Sequence, residues 1–128
     1  MKLLLDTHTF IWMESQPAKL SVKTKDAIED IANVVMLSVA SVWEMQIKLQ
    51  LAKLKFDVPL AEMLKTQQEV NGVEILPINL AHVLRLQHLP LHHRDPFDRM
   101  LVAQAQVENA VLVSQDLLLS QYNVQILW

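Results

Sequence analysis

Short apolar runs alternate with longer amphipathic stretches along the whole chain. Five runs read as strands: Lys2–Leu5, Val34–Leu37, Val73–Leu76, Ala110–Val113 and Val124–Leu127. Most are continuous rather than alternating, the pattern of strands covered on both faces. The stretches between them carry helical spacing. Asp6 precedes Thr7–Glu14. Ser21 precedes Val22–Ala32, where Ala27, Ile28, Ile31 and Ala32 form an apolar stripe and Lys25 and Glu29 are spaced to pair. Ser38 is placed to cap Val39–Leu51, Pro59 to open a helix reaching about Val70, and Asn79 to cap Leu80–Gln87. Asp95-Pro96 supplies both cap and first-turn proline for Phe97–Asn109, and a short turn, Leu117–Gln121, follows Asp116. Leu86–Arg94, with Pro90 and three histidines, reads as a surface loop. Strands alternating with helices predict an α/β domain spanning 1–128, with a parallel sheet of four to five strands between helical layers.

Composition narrows the chemistry. Hydrophobic residues make up 52% of the 128, ample for a core. The net charge of −3 argues against a broad phosphate-binding face but leaves room for an enzyme that meets phosphates through metal. One glycine, Gly72, excludes Walker loops and dinucleotide fingerprints, which need several. The absence of cysteine removes thiolate metal sites and suits the cytoplasm. The polar step at Asp6-Thr7-His8 comes too early for a signal peptide, and no run approaches the roughly 20 apolar residues of a membrane span. His82, His88, His92 and His93 match a zinc cluster by count only, and no nucleophile elbow accompanies a Ser-His-Asp set.

The acids carry the remaining signal. Asp6, Glu44, Asp98 and Asp116 each stand where an apolar run meets a polar step. In a parallel sheet they converge at its carboxyl edge, where open α/β sheets place ligands. A knot of carboxylates repels itself, and a hard divalent cation relieves it. Each acid also has a plainer explanation. Asp6 and Asp116 can be helix caps, Asp95 is a good cap before Pro96, and Glu44 can pair with Lys48 at i,i+4. Asp98 can answer the helix dipole from the first turn, yet it is aligned with Leu101, Val102 and Ala105 on the apolar stripe.

Leu4-Leu5-Asp6-Thr7-His8, Ser41-Val42-Trp43-Glu44, the string His93-Arg94-Asp95-Pro96-Phe97-Asp98-Arg99 with its following Met100–Ala105, and Leu112-Val113-Ser114-Gln115-Asp116 together resemble the PIN-domain nucleases. The closest likeness is to the VapC-type toxins of bacterial toxin–antitoxin pairs, and it covers essentially the whole chain. The resemblance implies a PIN-like three-layer fold and endoribonuclease cleavage with Mg²⁺ or Mn²⁺. It carries over Asp6, Glu44, Asp98 and Asp116 as the catalytic acids. Asp6, Asp98 and Asp116 would hold the metal, and Glu44 would position or deprotonate water or assist a second metal. Thr7 and Ser114 fall where the family has small hydroxyl residues beside the metal. Asp95 can support the site from behind, and Lys48, Arg94 and Arg99 are the nearest basic candidates for gripping RNA. A homodimer and a small antitoxin partner are expected, and no membrane. Two other classes stay open: a catalytically idle module whose acidic groove binds a basic peptide, and a receiver-type phospho-acceptor. The receiver expects paired acids after the first strand, where Asp6 stands alone.

Overall fold

The computed structural model describes residues 1–128. Strands β1 (Lys2–Leu5), β2 (Val34–Ser38), β3 (Glu74–Leu76), β4 (Val111–Val113) and β5 (Ile126–Leu127) form one sheet in the order β3-β2-β1-β4-β5. Every pairing is parallel, with Leu4 opposite both Met36 and Leu112. Helices α1 (Thr7–Ser15), α2 (Val22–Glu29), α3 (Val39–Gln50), α4 (Leu60–Val70), α5 (Leu80–Arg85) and α6 (Pro96–Glu108) connect them. This is the predicted α/β architecture, with five strands.

Period-two alternation divides the apolar residues into two layers. Leu3, Leu5, Val35, Leu37, Val111 and Val113 pack with Phe10 of α1, Met45 of α3 and Met63 of α4. Leu4, Met36 and Leu112 face Leu101, Val102 and Ala105 of α6 on the other side. Covering both faces explains why the strands read as continuous apolar runs.

Strand order reverses beside β1, since the chain passes from β1 toward β2 and β3 on one side and returns to β4 and β5 on the other. That is the topological switch point of an open sheet. Helix α6 leads into β4 and therefore begins at the carboxyl edge of the sheet.

Some boundaries differ from those expected. Helix α2 stops at Glu29, so Ile31 and Ala32 are exposed and extend no core stripe. Asp30 ends it: its carboxylate accepts the Ala32 N–H (2.9 Å), and Asn33 Nδ2 donates to the Ala27 carbonyl (2.9 Å). These local bonds compete with helix and turn the chain into β2. Lys25 and Glu29 form no ion pair; the salt bridges involve other residues. Strand β5 has two residues rather than four. Leu86–His88, placed partly in a helix and partly in a loop, is a 3₁₀ turn after α5. Gly72 takes φ +67° at the entry to β3, a conformation that suits glycine. No helix is long and apolar enough to cross a membrane.

Candidate metal centre

The end of β1 sets the first acid. The Asp6 N–H donates to the Val113 carbonyl of β4 (3.0 Å), and Thr9 Oγ1 donates to the same carbonyl (3.1 Å). Asp6 caps α1 by accepting the Thr9 N–H on Oδ1 (2.8 Å), which leaves Oδ2 without a protein partner. Buried Thr7 donates to buried Ser41 Oγ (3.0 Å), one turn before Glu44 on α3. The switch-point helices are thus pinned together. Thr7→Val is expected to cost about 1 kcal/mol, because Ser41 loses its buried partner. Urea denaturation checks this, as a lower midpoint with an unchanged slope.

Beyond β4, buried Ser114 accepts the Asp116 N–H on Oγ (3.0 Å), and Asp116 caps the Leu117–Gln121 turn by accepting the Leu118 N–H on Oδ1 (3.0 Å). Its Oδ2 turns to His93 Nε2 at 3.4 Å. Capping and metal ligation therefore need not compete for Asp6 or Asp116, since each cap occupies one oxygen of two. Asp95 caps α6, accepting the N–H groups of Phe97 (2.8 Å) and Asp98 (3.3 Å).

Asp98 stands differently. Its carboxylate takes part in none of the chain's side-chain hydrogen bonds or ion pairs. Burial pushes its pKa up from 3.8 to about 6, helped by the negative charges of Asp95, Glu44 and Asp6 and opposed by His93. One ligand atom each from His93, Asp98 and Asp116 lies within 4.8 Å of the others. Asp6 and Glu44 stand outside that trio but close enough to act on Asp98 electrostatically. Glu44 is held by Lys48 at 3.0 Å, so the plain pairing read from the sequence is formed.

The structure thus gathers Asp98 and Asp116 and adds a residue that sequence reasoning discounted, His93. Its N–H donates to the Tyr122 hydroxyl (2.9 Å), and the two rings lie 5.5 Å apart. A count of histidines hides this, because only His93 reaches the acids. Its place five residues before Asp98 was the available clue. Volume is no guide either: a cavity of about 590 Å³ is lined by residues such as Met13, Ile28, Val35 and Val73 and by none of the four acids.

The model of the PIN domain matches residues 3–124. The chain belongs to the PIN-domain family. Solved structures similar to it include VapBC2 from Rickettsia felis bound to a promoter DNA fragment (TM-score 0.76, 16% identity, covering 99% of this chain and 98% of that one). DNA-bound VapBC from Salmonella typhimurium gives a TM-score of 0.70 at 14% identity, with 99% and 97% covered. FitAcB from Neisseria gonorrhoeae gives 0.61 at 16%, with 98% and 96% covered. No curated protein matches the sequence at a significant level. PIN domains are a nuclease family, which makes a metal the natural occupant to test against these donors. They fit one: carboxylates crowd around Asp98, which has no ion-pair partner of its own, and His93 Nδ1 is buried with no partner.

The basic candidates of this PIN domain divide. Arg99 donates to the carbonyls of Pro90 (2.8 Å) and Leu86 (3.4 Å), fastening the Leu86–Arg94 loop to α6. Lys48 is engaged with Glu44. Arg94, next in the chain to His93, is exposed and makes no side-chain bond.

Proposed function

We propose that this PIN domain is a metal-dependent endoribonuclease and the toxin of a toxin–antitoxin pair. The observation that carries the reading is the meeting of Asp98 and Asp116 at the switch-point edge, with Asp6 and Glu44 near enough to raise the Asp98 pKa. Oxygen donors that retain water suit Mg²⁺ or Mn²⁺. Asp6, Asp98 and Asp116 would hold the ion. When bound, it supplies charge opposite the attacked phosphate and a water of lowered pKa. Glu44 would orient the attacking water and serve as its proton acceptor, with Lys48 holding the carboxylate in place. Arg94 is free to meet a phosphate, whereas the guanidinium of Arg99 is committed to the loop. The likeness to VapBC structures supports an antitoxin partner, and the homodimeric state is carried over from the family resemblance alone.

A mixed RNA panel, including tRNA and structured rRNA fragments, tests this with antitoxin-free protein in Mg²⁺, Mn²⁺ or EDTA. Cleavage that needs the metal is expected. Folded, metal-loaded protein that cuts nothing in the panel, or cutting that persists in EDTA, would overturn the reading. Glu44→Gln should slow cleavage about 10²-fold, the size of a general-base contribution, while metal affinity changes less than about 3-fold. Single-turnover kinetics beside metal titration separates the two effects.

A further inference from the structure

We propose that His93 is a nitrogen ligand of the metal centre and biases it toward Mn²⁺ and the later first-row ions over Mg²⁺. The inference rests on the metal-centre reading above and goes beyond its all-carboxylate donor set. Ligands on one ion with bonds of about 2.1 Å lie at most about 4.2 Å apart. Cis ligands on such an ion lie about 3.0 Å apart, so the ligand atoms of His93, Asp98 and Asp116, all within 4.8 Å of one another, close on one ion by side-chain rotation of about 1–2 Å.

His93 is poorly explained as anything else. A closed charge-assisted N–H···O bond is about 2.7–2.9 Å, whereas His93 Nε2 stands 3.4 Å from Asp116 Oδ2. The imidazole and carboxylate face each other across a gap instead of forming a tight pair. Nδ1 is buried and has no partner at all, so the ring carries unused hydrogen-bonding capacity at a cost. The ring is nevertheless fixed: its side chain is 12% exposed, its backbone N–H is bound to Tyr122, and Arg99 ties down the loop before it. A held imidazole whose Nε2 faces the Asp116 carboxylate across an open gap, with Asp98 in the same cluster, has the makings of a mixed nitrogen–oxygen donor set. Mg²⁺ prefers oxygen and gains little from imidazole, while affinity for nitrogen rises along the first-row series from Mn²⁺. The other histidines are placed elsewhere. His8 packs on Trp12, His82 binds Glu108, His88 is exposed, and His92 packs on Tyr122.

Electron spin-echo spectroscopy with MnCl₂ on the partner-free 128-residue chain tests this without relying on activity. Bound Mn²⁺ should show ¹⁴N modulation from one directly bound imidazole. His93→Gln should abolish the modulation and weaken Mn²⁺ binding about 10-fold, with Mg²⁺ affinity changing less than about 3-fold. Wild-type protein carrying ¹⁵N-histidine should lose the ¹⁴N pattern with no substitution, so the test survives a variant that folds poorly. Bound Mn²⁺ without nitrogen modulation, or modulation that persists in folded His93→Gln, overturns the His93 assignment and leaves the carboxylate reading standing. Failure of the wild type to bind Mn²⁺ overturns both.

Discussion

Asp98→Asn should make the metal-free protein more stable at pH 7.5 and abolish its metal-dependent cleavage. The two effects share one cause. In the unfolded chain Asp98 ionises near 3.8, and in the folded one near 6. Between these values the folded state keeps a proton that the unfolded state has released, so stability falls as pH rises through this window. Below 3.8 the cost is absent, and above about 6 it is complete. A shift of about two pKa units corresponds to about 3 kcal/mol, and water at the rim of the cluster reduces this to about 1–2 kcal/mol. Asparagine is neutral throughout and removes the cost. In EDTA at pH 7.5 the variant should melt about 5 °C higher than wild type, and the two should converge below pH 4. Adding Mn²⁺ should reverse the order, since an ion that binds only the folded state at 100 times its Kd stabilises wild type by about 2.7 kcal/mol. Metal affinity of the wild type should also weaken below pH 6 as protons compete for the carboxylate. An Asp98→Asn protein no more stable than wild type in EDTA at pH 7.5 would remove Asp98 as the strained centre of the cluster. Retained cleavage would remove it from the metal site.

Much of this geometry was legible in the chain because it is set locally. Asp6, Ser38, Asn79, Asp95 and Asp116 are the caps their positions predicted, and each fixes the start of a helix or turn. Continuous apolar runs identified the sheet, and parallel topology then carried the acids to one edge. Legibility ended where a local competitor or a distant partner decides. Asp30 offers the backbone a turn that the stripe through Ile31 could not reveal. His93 reaches the acids only because Tyr122, 29 residues later, binds its backbone, and because Arg99 holds two carbonyls of the preceding loop. Spacing does not encode such closures. The Asp6 and Asp116 alternatives, cap or ligand, were posed as rivals by sequence and become compatible once the two carboxylate oxygens are counted separately.

His82→Ala should destabilise the fold by about 3 kcal/mol although His82 lies outside the metal centre. The ring is fully buried between α5 and α6. Its Nδ1 accepts the Asn79 N–H (3.1 Å) and faces Gln104 Nε2 (3.3 Å), while Nε2 meets Glu108 Oε2 at 2.9 Å. Two donors on Nδ1 assign the proton to Nε2, which donates to Glu108. The histidine therefore completes a reciprocal cap with Asn79 at the start of α5 and bolts that helix to the far end of α6. Alanine would leave a cavity, take the side-chain acceptor from the Asn79 N–H, and leave Gln104 Nε2 with the Pro77 carbonyl alone while its Oε1 already lacks a partner. Cavity and orphaned polar groups act together, hence a cost above that of one lost bond. Glu108→Gln preserves an acceptor for Nε2–H and should cost less than about 1 kcal/mol. Urea denaturation of the pair decides: similar losses in both would mean that the carboxylate charge, not the buried ring, secures α5. The consequence reaches the site through the chain. Helix α5 runs into the loop that ends at His93, so loosening its anchor should weaken Mn²⁺ binding several-fold in the folded His82→Ala protein. Glu108→Gln, which keeps the anchor, should leave Mn²⁺ affinity unchanged.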